Sequence, residues 1–283
     1  MMRSPSLYNW LETSADGFDA VCLDIDGVLL KGGHRLPGSR RLLGLLRQKR
    51  LPFVLLTNDG NHATSEKADR LTRAGLEITP DQIISCGHAI APQIESLNMV
   101  GEFFFAMGDT GVPCYARAAG LEITRDTVAL GACAGVIIGE EHYDWEPVIN
   151  AVVNFFIDNP LSPLIVPNPD EFYPATGLKI HIAAGGIARF MQRVLKAYGV
   201  NIKPIYLGKP FAPIFKMASK YLDQQLGRTV MPGNVLMVGD NLSADIAGGQ
   251  NAGFRTALLL TGVTSPDAIS RLNPIPDMVF DTI

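Results

Sequence analysis

The stretch Val21-Cys22-Leu23-Asp24-Ile25-Asp26-Gly27-Val28-Leu29 decides the fold of this chain. A short apolar run of this kind predicts a strand that is buried on both faces, as in a parallel sheet. Side chains alternate along a strand, so Asp24 and Asp26 point the same way if the pleat persists, and their charges repel unless a cation or a proton lies between them. Gly27 then permits a sharp turn and leaves room for a ligand beside the main chain. The plainer alternative is a strand-end turn in which the aspartates only cap the backbone.

The composition limits the classes of function open to the chain. Its 283 residues suffice for a large core and favour two domains over one. A formal net charge of -4 without a block of Lys or Arg argues against a nucleic-acid partner. No apolar run approaches the ~20 residues of a membrane span, and the N-terminus lacks a signal-peptide pattern, so we expect no membrane partner and a cytoplasmic location. The four cysteines form no CxxC pair, which favours buried free thiols.

Helix and strand patterns alternate in three blocks along the chain. After the first strand, residues 1–81 predict a helix over 37–49, a strand over 51–56 and a helix over 65–74, which is a doubly wound parallel pattern and the first part of a core. Residues 82–203 predict an inserted α/β domain, with strands over 103–107, 134–138 and 164–166 and helices over 88–98, 145–158 and 185–199. Residues 204–283 resume the first pattern as the second part of the core.

Polar side chains follow the predicted strands at four places that are far apart in sequence. They are Asp24 with Asp26, Thr57 with Asn58, Lys209, and Asp240 with Asp245. Each of these residues could also have a purely structural role, because Thr, Asn and Asp are common cap and turn residues and a lysine is commonly exposed. Parallel strands nevertheless bring their carboxyl ends to one edge, where ligands bind, so their joint occurrence favours a single site.

The acidic residues of this set suggest a metal-assisted reaction at phosphorus. Carboxylates from Asp24, Asp26 and Asp240 make an all-oxygen site that suits Mg²⁺. Asp24 is then placed to attack phosphorus, as carboxylates do in aspartyl-phosphate enzymes. Asp26 would protonate the leaving oxygen and later take a proton from the attacking water.

The remaining residues of the set suit the transferred phosphoryl group. Lys209 would offset the charge on the phosphoryl oxygens. The Thr57 hydroxyl and the backbone N–H of Asn58 would donate hydrogen bonds to those oxygens.

With these residues the chain resembles the haloacid dehalogenase-like hydrolase superfamily, and within it the NagD-like group (subfamily IIA) of sugar and nucleotide phosphatases. The matching pieces run in family order across nearly the whole chain: Asp24-Ile25-Asp26-Gly27-Val28-Leu29, Leu56-Thr57-Asn58, Asn168-Pro169-Asp170, Gly208-Lys209-Pro210, Gly239-Asp240-Asn241-Leu242 with Asp245-Ile246, and Leu260-Thr261-Gly262-Val263-Thr264. The resemblance implies a Rossmann-like core with a large inserted α/β cap. It also implies Mg²⁺ as cofactor and hydrolysis of a phosphomonoester through an aspartyl-phosphate.

The resemblance also assigns roles to individual residues. Catalysis would fall on Asp24, Asp26, Thr57 and Lys209, with Asp24 as nucleophile and Asp26 as acid and base. Mg²⁺ would be held by Asp24, the Asp26 carbonyl and Asp240, and the metal ligands would be oriented by Asn241 and Asp245. Phosphate binding would fall on Thr57, Asn58 and Lys209. Apart from the resemblance, we expect Gly27, Asp59 and Asp170 to be further substrate-binding residues.

Two positions depart from the family pattern. Asp59-Gly60-Asn61 follows the Thr-Asn pair where the family usually has Asn-Ser-Ser, so a carboxylate stands near the expected phosphate site. Ala244 replaces a threonine before Asp245, which removes a hydroxyl but no expected metal ligand.

Spacing separates the alternatives within and beyond this superfamily. Asp26 argues against the dehalogenases, which lack an acid and base at this position, and the short interval from Asp26 to Thr57 leaves no room for a phosphomutase-type cap. Gly185-Gly186 does not complete a GxGxxG motif, which disfavours dinucleotide binding. The competing hypothesis, from a functional class other than enzymes, is a non-catalytic phosphometabolite-binding protein on the same fold. An inert relative would be expected to lose Asp24, Asp26 or Lys209, and all three are present.

The expected partner is a small phosphorylated metabolite, and the cap is expected to select it. The turn-rich stretch from Asn168 to Pro174 is the best candidate for that role, with Asp170 as a substrate contact. The alternative is a turn whose aromatic side chains only pack within the cap. Relatives often pair through the cap, so a homodimer of this kind is a further expectation.

Overall fold

The structure is a computed structural model that describes residues 2–174, 179–267 and 273–283. Its strands, in chain order, are β1 Met2–Ser6, β2 Ala20–Leu23, β3 Leu30–Lys31, β4 His34–Arg35, β5 Phe53–Thr57, β6 Ile83–Ser85, β7 Phe103–Met107, β8 Glu122–Thr124, β9 Gly135–Ile138, β10 Leu164–Val166, β11 Phe172–Pro174, β12 Ile180–Ile182, β13 Ile205–Tyr206, β14 Val235–Gly239, β15 Arg255–Leu259 and β16 Met278–Thr282. Its helices are α1 Leu7–Ser14, α2 Ser39–Gln48, α3 Thr64–Arg73, α4 Ile90–Ser96, α5 Tyr115–Ala118, α6 Trp145–Asp158, α7 Ala184–Tyr198, α8 Ala212–Leu226 and α9 Ala247–Asn251.

The chain divides into two compact units. The first unit comprises Met1–Thr57, Thr64–Ile84 and Lys209–Ile283, and the second comprises Asn58–Ala63 and Ser85–Gly208. The predicted boundaries at 81/82 and 203/204 therefore lie close to the unit boundaries, but the short segment Asn58–Ala63, predicted as core, belongs to the second unit.

The first unit is built on a sheet with the strand order β1-β16-β15-β14-β2-β5-β6. The neighbouring pairs from β1 through to β5 are parallel, which confirms the predicted parallel sheet. Strand β2 lies between β14 and β5, with Leu23 in register with Val238 and Leu55, and all three side chains are buried. The carboxyl ends of β14, β2 and β5 consequently lie side by side.

Helix α2 shows how the sequence covers this sheet. Its buried residues Leu42, Leu43, Leu45 and Leu46 form the apolar face expected from the sequence and join the core cluster that contains Leu23 and Val238. Since an apolar helix face stabilises the fold only when it is buried against another element, this packing fixes α2 on the sheet.

The second unit has its own parallel sheet, with the order β13-β10-β9-β7-β8. The predicted strands over 103–107 and 164–166 and the predicted helix over 145–158 are confirmed with identical bounds in β7, β10 and α6. Strands β11 and β12 form a separate antiparallel hairpin.

Residues 204–208 were predicted to resume the core, and that prediction is wrong. Strand β13 pairs with β10 in the sheet of the second unit, with Ile165 in register with Ile205. The first unit resumes only at Lys209. The sheet to which a two-residue strand belongs is decided by the strand it pairs with. The local sequence pattern does not reveal that partner.

Two further expectations concern the cysteines and the membrane. Cys22, Cys86, Cys114 and Cys133 form no disulfide; Cys22, Cys86 and Cys133 are buried as expected, whereas Cys114 is partly exposed. Within residues 2–174, 179–267 and 273–283, no helix has both the length and the apolar character that crossing a membrane requires.

Candidate active site

A buried lysine lies at the centre of the candidate site in the first unit. Lys209 Nζ donates to Asp24 Oδ1 at 2.6 Å and to the Leu56 carbonyl at 3.1 Å, and it lies 2.7 Å from Asp245 Oδ1. The Lys209 side chain is only 3% exposed. Burial by itself would lower the pKa of Lys209, but the carboxylates of Asp24 and Asp245 outweigh it and raise the pKa above its usual value. The lysine is therefore a fixed positive charge.

Three carboxylates converge near this lysine and could hold a divalent cation. Asp24, Asp240 and Asp245 each offer an oxygen, and these oxygens all lie within 4.8 Å of one another. Burial raises the pKa of Asp24 well above its ordinary value; Lys209 opposes the shift, while Asp245 and Asp240 add to it. Burial and Asp245 likewise raise the pKa of Asp240 to about 7. A cation would remove this penalty, and an all-oxygen donor set suits Mg²⁺.

Two glycines leave room for the Asp240 carboxylate. Gly27 has a φ of +87°, and a Cβ added there would overlap the carboxylate of Asp240. A Cβ on Gly262 would overlap Asp240 Oδ2 and approach the Gly27 Cα at 2.8 Å. The backbone N–H of Val263 donates to the same Oδ2 at 2.5 Å. The backbone around Asp240 is thus shaped to hold a carboxylate in one position.

The turn after β14 places Asp245. Asn241 caps a π-helical turn at Leu242–Ile246, because its Oδ1 accepts from the N–H groups of Ser243 and Ala244. The Asn241 N–H donates to Asp245 Oδ2 at 3.1 Å. Position 244 contributes only its backbone to this cap, so the cap needs no side-chain hydroxyl at Ala244.

Asp26 and Thr57 occupy different surroundings from Asp24. Strand β2 ends at Leu23, so the pleat does not continue to Asp26, and the Asp26 side chain is 57% exposed and ion-paired with Arg70 at 3.3 Å. The carboxylates that converge are therefore those of Asp24, Asp240 and Asp245, whereas the sequence analysis named Asp24, Asp26 and Asp240. A role for the Asp26 carbonyl stays a prediction. Thr57 ends β5 and is buried.

The other predicted substrate residues belong to the second unit. Asn58 Nδ2 lies 3.2 Å from both carboxylate oxygens of Asp170. Asp59 Oδ1 accepts from the N–H groups of Asn61 and His62, and the His62 ring lies 3.0 Å from Asp59 Oδ2. Asp59 therefore organises the turn that follows Asn58.

Glu140 is a buried carboxyl that the sequence analysis missed. Asn168 Nδ2 donates to Glu140 Oε1 at 2.5 Å, and the backbone N–H of Ala184 also donates to this carboxyl group. Burial raises the pKa of Glu140 to about 7; the Asn168 bond opposes the shift, and the charges of Asp59 and Asp170 add to it. Glu140 lies two residues beyond the carboxyl end of β9, so the strand-end pattern that marks Asp24 in the sequence also marks Glu140.

Comparisons with known proteins support the family resemblance. A family model described as haloacid dehalogenase-like hydrolase matches residues 21–122, and a second, HAD-hydrolase-like model matches residues 206–283. The ribonucleotide monophosphatase NagD of Escherichia coli K12 is 31% identical over 268 residues, which cover 93% of this chain and 96% of NagD.

Solved structures give the same result. A possible sugar phosphatase of the HAD superfamily from Cytophaga hutchinsonii has a TM-score of 0.82 at 28% identity, with 99% of this chain and 98% of that chain covered. The p-nitrophenyl phosphatase from Archaeoglobus fulgidus has a TM-score of 0.78 at 25% identity, with 94% and 96% covered. The likeness thus extends over both units of the chain.

Gly262→Ala is expected to weaken Mg²⁺ binding. The added Cβ would displace the Asp240 carboxylate, and a disturbed metal ligand typically loses about tenfold or more in affinity. Titration calorimetry with Mg²⁺ measures this. The matched control is Gly44→Ala, on the exposed side of α2 where no atom lies within 4 Å of the added Cβ; it should bind Mg²⁺ normally and gain stability. Equal Mg²⁺ affinities of the two variants would contradict the role of Gly262.

The stability of the protein is expected to depend on pH through Glu140. The folded protein raises the pKa of this carboxyl from 4.5 to about 7, so its contribution to the free energy of unfolding is fully present below pH 4.5 and is lost as pH rises through 7. Glu140→Gln removes this dependence. Urea unfolding between pH 4.5 and 8 should therefore show the variant gaining on the wild type by up to about 3 kcal/mol as pH rises. Glu146→Gln, at an exposed position of α6, should show no such change, and parallel curves for Glu140→Gln and wild type would refute the assignment.

Proposed function

The chain belongs to the haloacid dehalogenase-like hydrolase family and is a phosphatase, and we propose that it is a Mg²⁺-dependent hydrolase of small phosphomonoesters that works through an aspartyl-phosphate on Asp24. The observation that carries the proposal is the buried cluster in which Lys209 contacts Asp24 and Asp245. A nucleophile and a fixed positive charge held 2.6 Å apart suit attack on a phosphate dianion.

The metal proposal rests on the donor set of this chain. Asp24, Asp240 and Asp245 would hold the cation or orient its ligands, and the Asp26 carbonyl would complete the set that the family resemblance implies. When bound, Mg²⁺ supplies positive charge against these carboxylates and against the substrate phosphate.

Asp24 and Asp26 would divide the chemistry between them. An Asp24 oxygen forms a bond to phosphorus while the bond from phosphorus to the leaving oxygen breaks, and Asp26 donates a proton to that oxygen. In the second step water attacks the phosphorus of the aspartyl-phosphate, Asp26 takes the proton, and inorganic phosphate leaves Asp24. The exposed position of the Asp26 side chain supports this role, because a proton-transfer group has to reach both the substrate and water.

The phosphoryl oxygens would be bound by Lys209, Thr57 and Asn58. The substrate class is inferred from the relatives, whose names include a ribonucleotide monophosphatase and a possible sugar phosphatase. We infer that this chain acts on a sugar phosphate or a similar small metabolite, and that its second unit serves as the cap that selects the leaving group.

The direct test is phosphate release over a panel of phosphomonoesters, including p-nitrophenyl phosphate, sugar phosphates and nucleoside monophosphates. Activity should require Mg²⁺, vanish with EDTA and return when Mg²⁺ is restored. Asp24→Asn should lower turnover on the order of 10³-fold or more while the thermal melt stays cooperative, since an amide of nearly the same shape is a poor nucleophile. Activity in metal-free buffer, or an active Asp24→Asn variant, would overturn the mechanism. A folded wild type inactive on the whole panel would overturn the proposed substrate class.

Asp26→Asn is expected to separate the two steps on p-nitrophenyl phosphate. The p-nitrophenolate group leaves with little need for a proton, whereas hydrolysis of the aspartyl-phosphate still needs a base. Rapid mixing should therefore show a burst of p-nitrophenolate close to the enzyme concentration, followed by a steady state roughly a hundredfold slower than wild type. A wild-type steady state, or a slow phase without a burst, would assign proton transfer to another group.

A further inference from the structure

The loop Asn58–Ala63 is held by the second unit. Its backbone carbonyls accept three hydrogen bonds, from Ser85 Oγ to the Asp59 carbonyl at 2.6 Å, from Cys86 Sγ to the Asn58 carbonyl at 3.1 Å and from the Tyr115 hydroxyl to the His62 carbonyl at 3.0 Å. These bonds hold carbonyl groups at and after Asn58, and the side chain of Asn58 adds a contact of its own.

Asp170 provides an anchor for that side chain. Asn58 is 7% exposed, and its amide nitrogen lies 3.2 Å from both oxygens of the Asp170 carboxylate. A hydrogen bond from an amide to a carboxylate is stronger than one between neutral groups, and leaving a buried donor unpaired is unfavourable. This contact therefore selects one rotamer of Asn58.

Asp170 is itself held by a buried pair. Asn168 Oδ1 accepts from the Asp170 N–H at 2.9 Å, while Asn168 Nδ2 donates to Glu140 Oε1 at 2.5 Å. Glu140 is 7% exposed and accepts in addition from the backbone N–H of Ala184 at the start of α7. The contacts thus connect Asn58 to the start of α7: the Asp170 side chain meets Asn58, and the Asp170 main chain is held by Asn168, which Glu140 orients.

The main chain beside Asp170 is also fixed against α7. A Cβ on Gly185 would overlap the Pro169 carbonyl, so glycine is needed for the approach of the two backbones. Arg189 donates from Nη1 to the Pro169 carbonyl at 2.9 Å and pairs through Nε with Glu171 at 3.2 Å. The turn that carries Asp170 is thus held against α7, and a residue that positions another must itself be held in this way.

We propose that Asp170 is a positioning residue that fixes the Asn58 side chain, and that Asn168 and Glu140 hold Asp170 in place for this purpose. The proposal rests on the proposed function, in which the backbone N–H of Asn58 donates to the phosphoryl group common to all substrates, so that holding the Asn58 side chain also holds this N–H in place. It assigns Asp170 a role in every turnover, whereas a contact with the leaving group would matter only for particular substrates.

Kinetics on two substrates of different size test the proposal. Asp170→Ala should lower kcat/KM by roughly tenfold to a hundredfold, and by the same factor for p-nitrophenyl phosphate and a nucleoside monophosphate, because a binding group displaced by about 1 Å has effects of this size. Asp170→Asn keeps an oxygen that accepts from the Asn58 amide and should recover most of the loss. Losses confined to the larger substrate would place Asp170 against the leaving group, and a fully active Asp170→Ala would remove it from the reaction.

A double-mutant cycle tests the link through Glu140. Glu140→Ala should lower kcat/KM by about threefold to tenfold, and the Glu140→Ala, Asp170→Ala double variant should lose no more than Asp170→Ala alone, since both act through the same contact. Glu146→Ala, at an exposed position of α6, is the matched control and should be as active as wild type. Additive losses in the double variant would refute the link.

A second measurement is independent of turnover. In protein labelled with [¹⁵N]asparagine, the Asn58 side-chain NH₂ signals are identified by their loss in Asn58→Ser. These signals should shift in Asp170→Ala and in Glu140→Ala and stay in place in Glu146→Ala. Unchanged signals in Asp170→Ala would overturn the proposal even if the wild type is an active phosphatase. Shifted signals would support it even if wild type failed the phosphate-release assay, a failure that would count against the proposed function alone.

Discussion

Burial of the Lys209 ammonium group is the constraint on which the candidate site depends. A lysine that is 3% exposed needs charged partners, and here they are the carboxylates of Asp24 and Asp245 at 2.6 and 2.7 Å. The dependence is mutual, because removing one partner of a buried ion pair leaves an uncompensated charge that typically costs about 3–5 kcal/mol. The sheet order β14-β2-β5 satisfies the constraint, since it brings Asp24, the turn that carries Asp245 and the Leu56 carbonyl to one place.

Crowding of carboxylates around one lysine explains why glycines surround the site. A side chain at Gly239 would overlap Asp245, and side chains at Gly27 and Gly262 would overlap Asp240. Glycine is required here mainly for volume, and at Gly27 also for its positive φ. The sequence motifs around these glycines therefore supply the space that the carboxylates need, in addition to the carboxylates themselves.

The sequence predicted the parts of the fold that have strong local patterns. Helix α6 and strand β7 came out with identical bounds, because long apolar periodicity or a continuous apolar run carries its own signal. Strand β1 was missed and β13 was assigned to the wrong sheet, since both depend on pairing with distant residues. The same holds for the candidate site. The strand-end pattern selected Asp24, Asp26, Asp240 and Asp245, but which of these carboxylates converge depends on where each side chain points, and the Asp26 side chain is exposed.

The two departures from the family pattern show how the chain tolerates change near the site. The Asp59 carboxylate accepts hydrogen bonds from N–H groups of its own turn, and Ala244 takes part in the Asn241 cap only through its backbone N–H. Local backbone bonds therefore accommodate both residues. The boundary between the units falls between Thr57 and Asn58, so two neighbouring residues expected to bind phosphate are fixed by different parts of the molecule. Thr57 ends a strand of the first sheet, while Asn58 depends on Asp170.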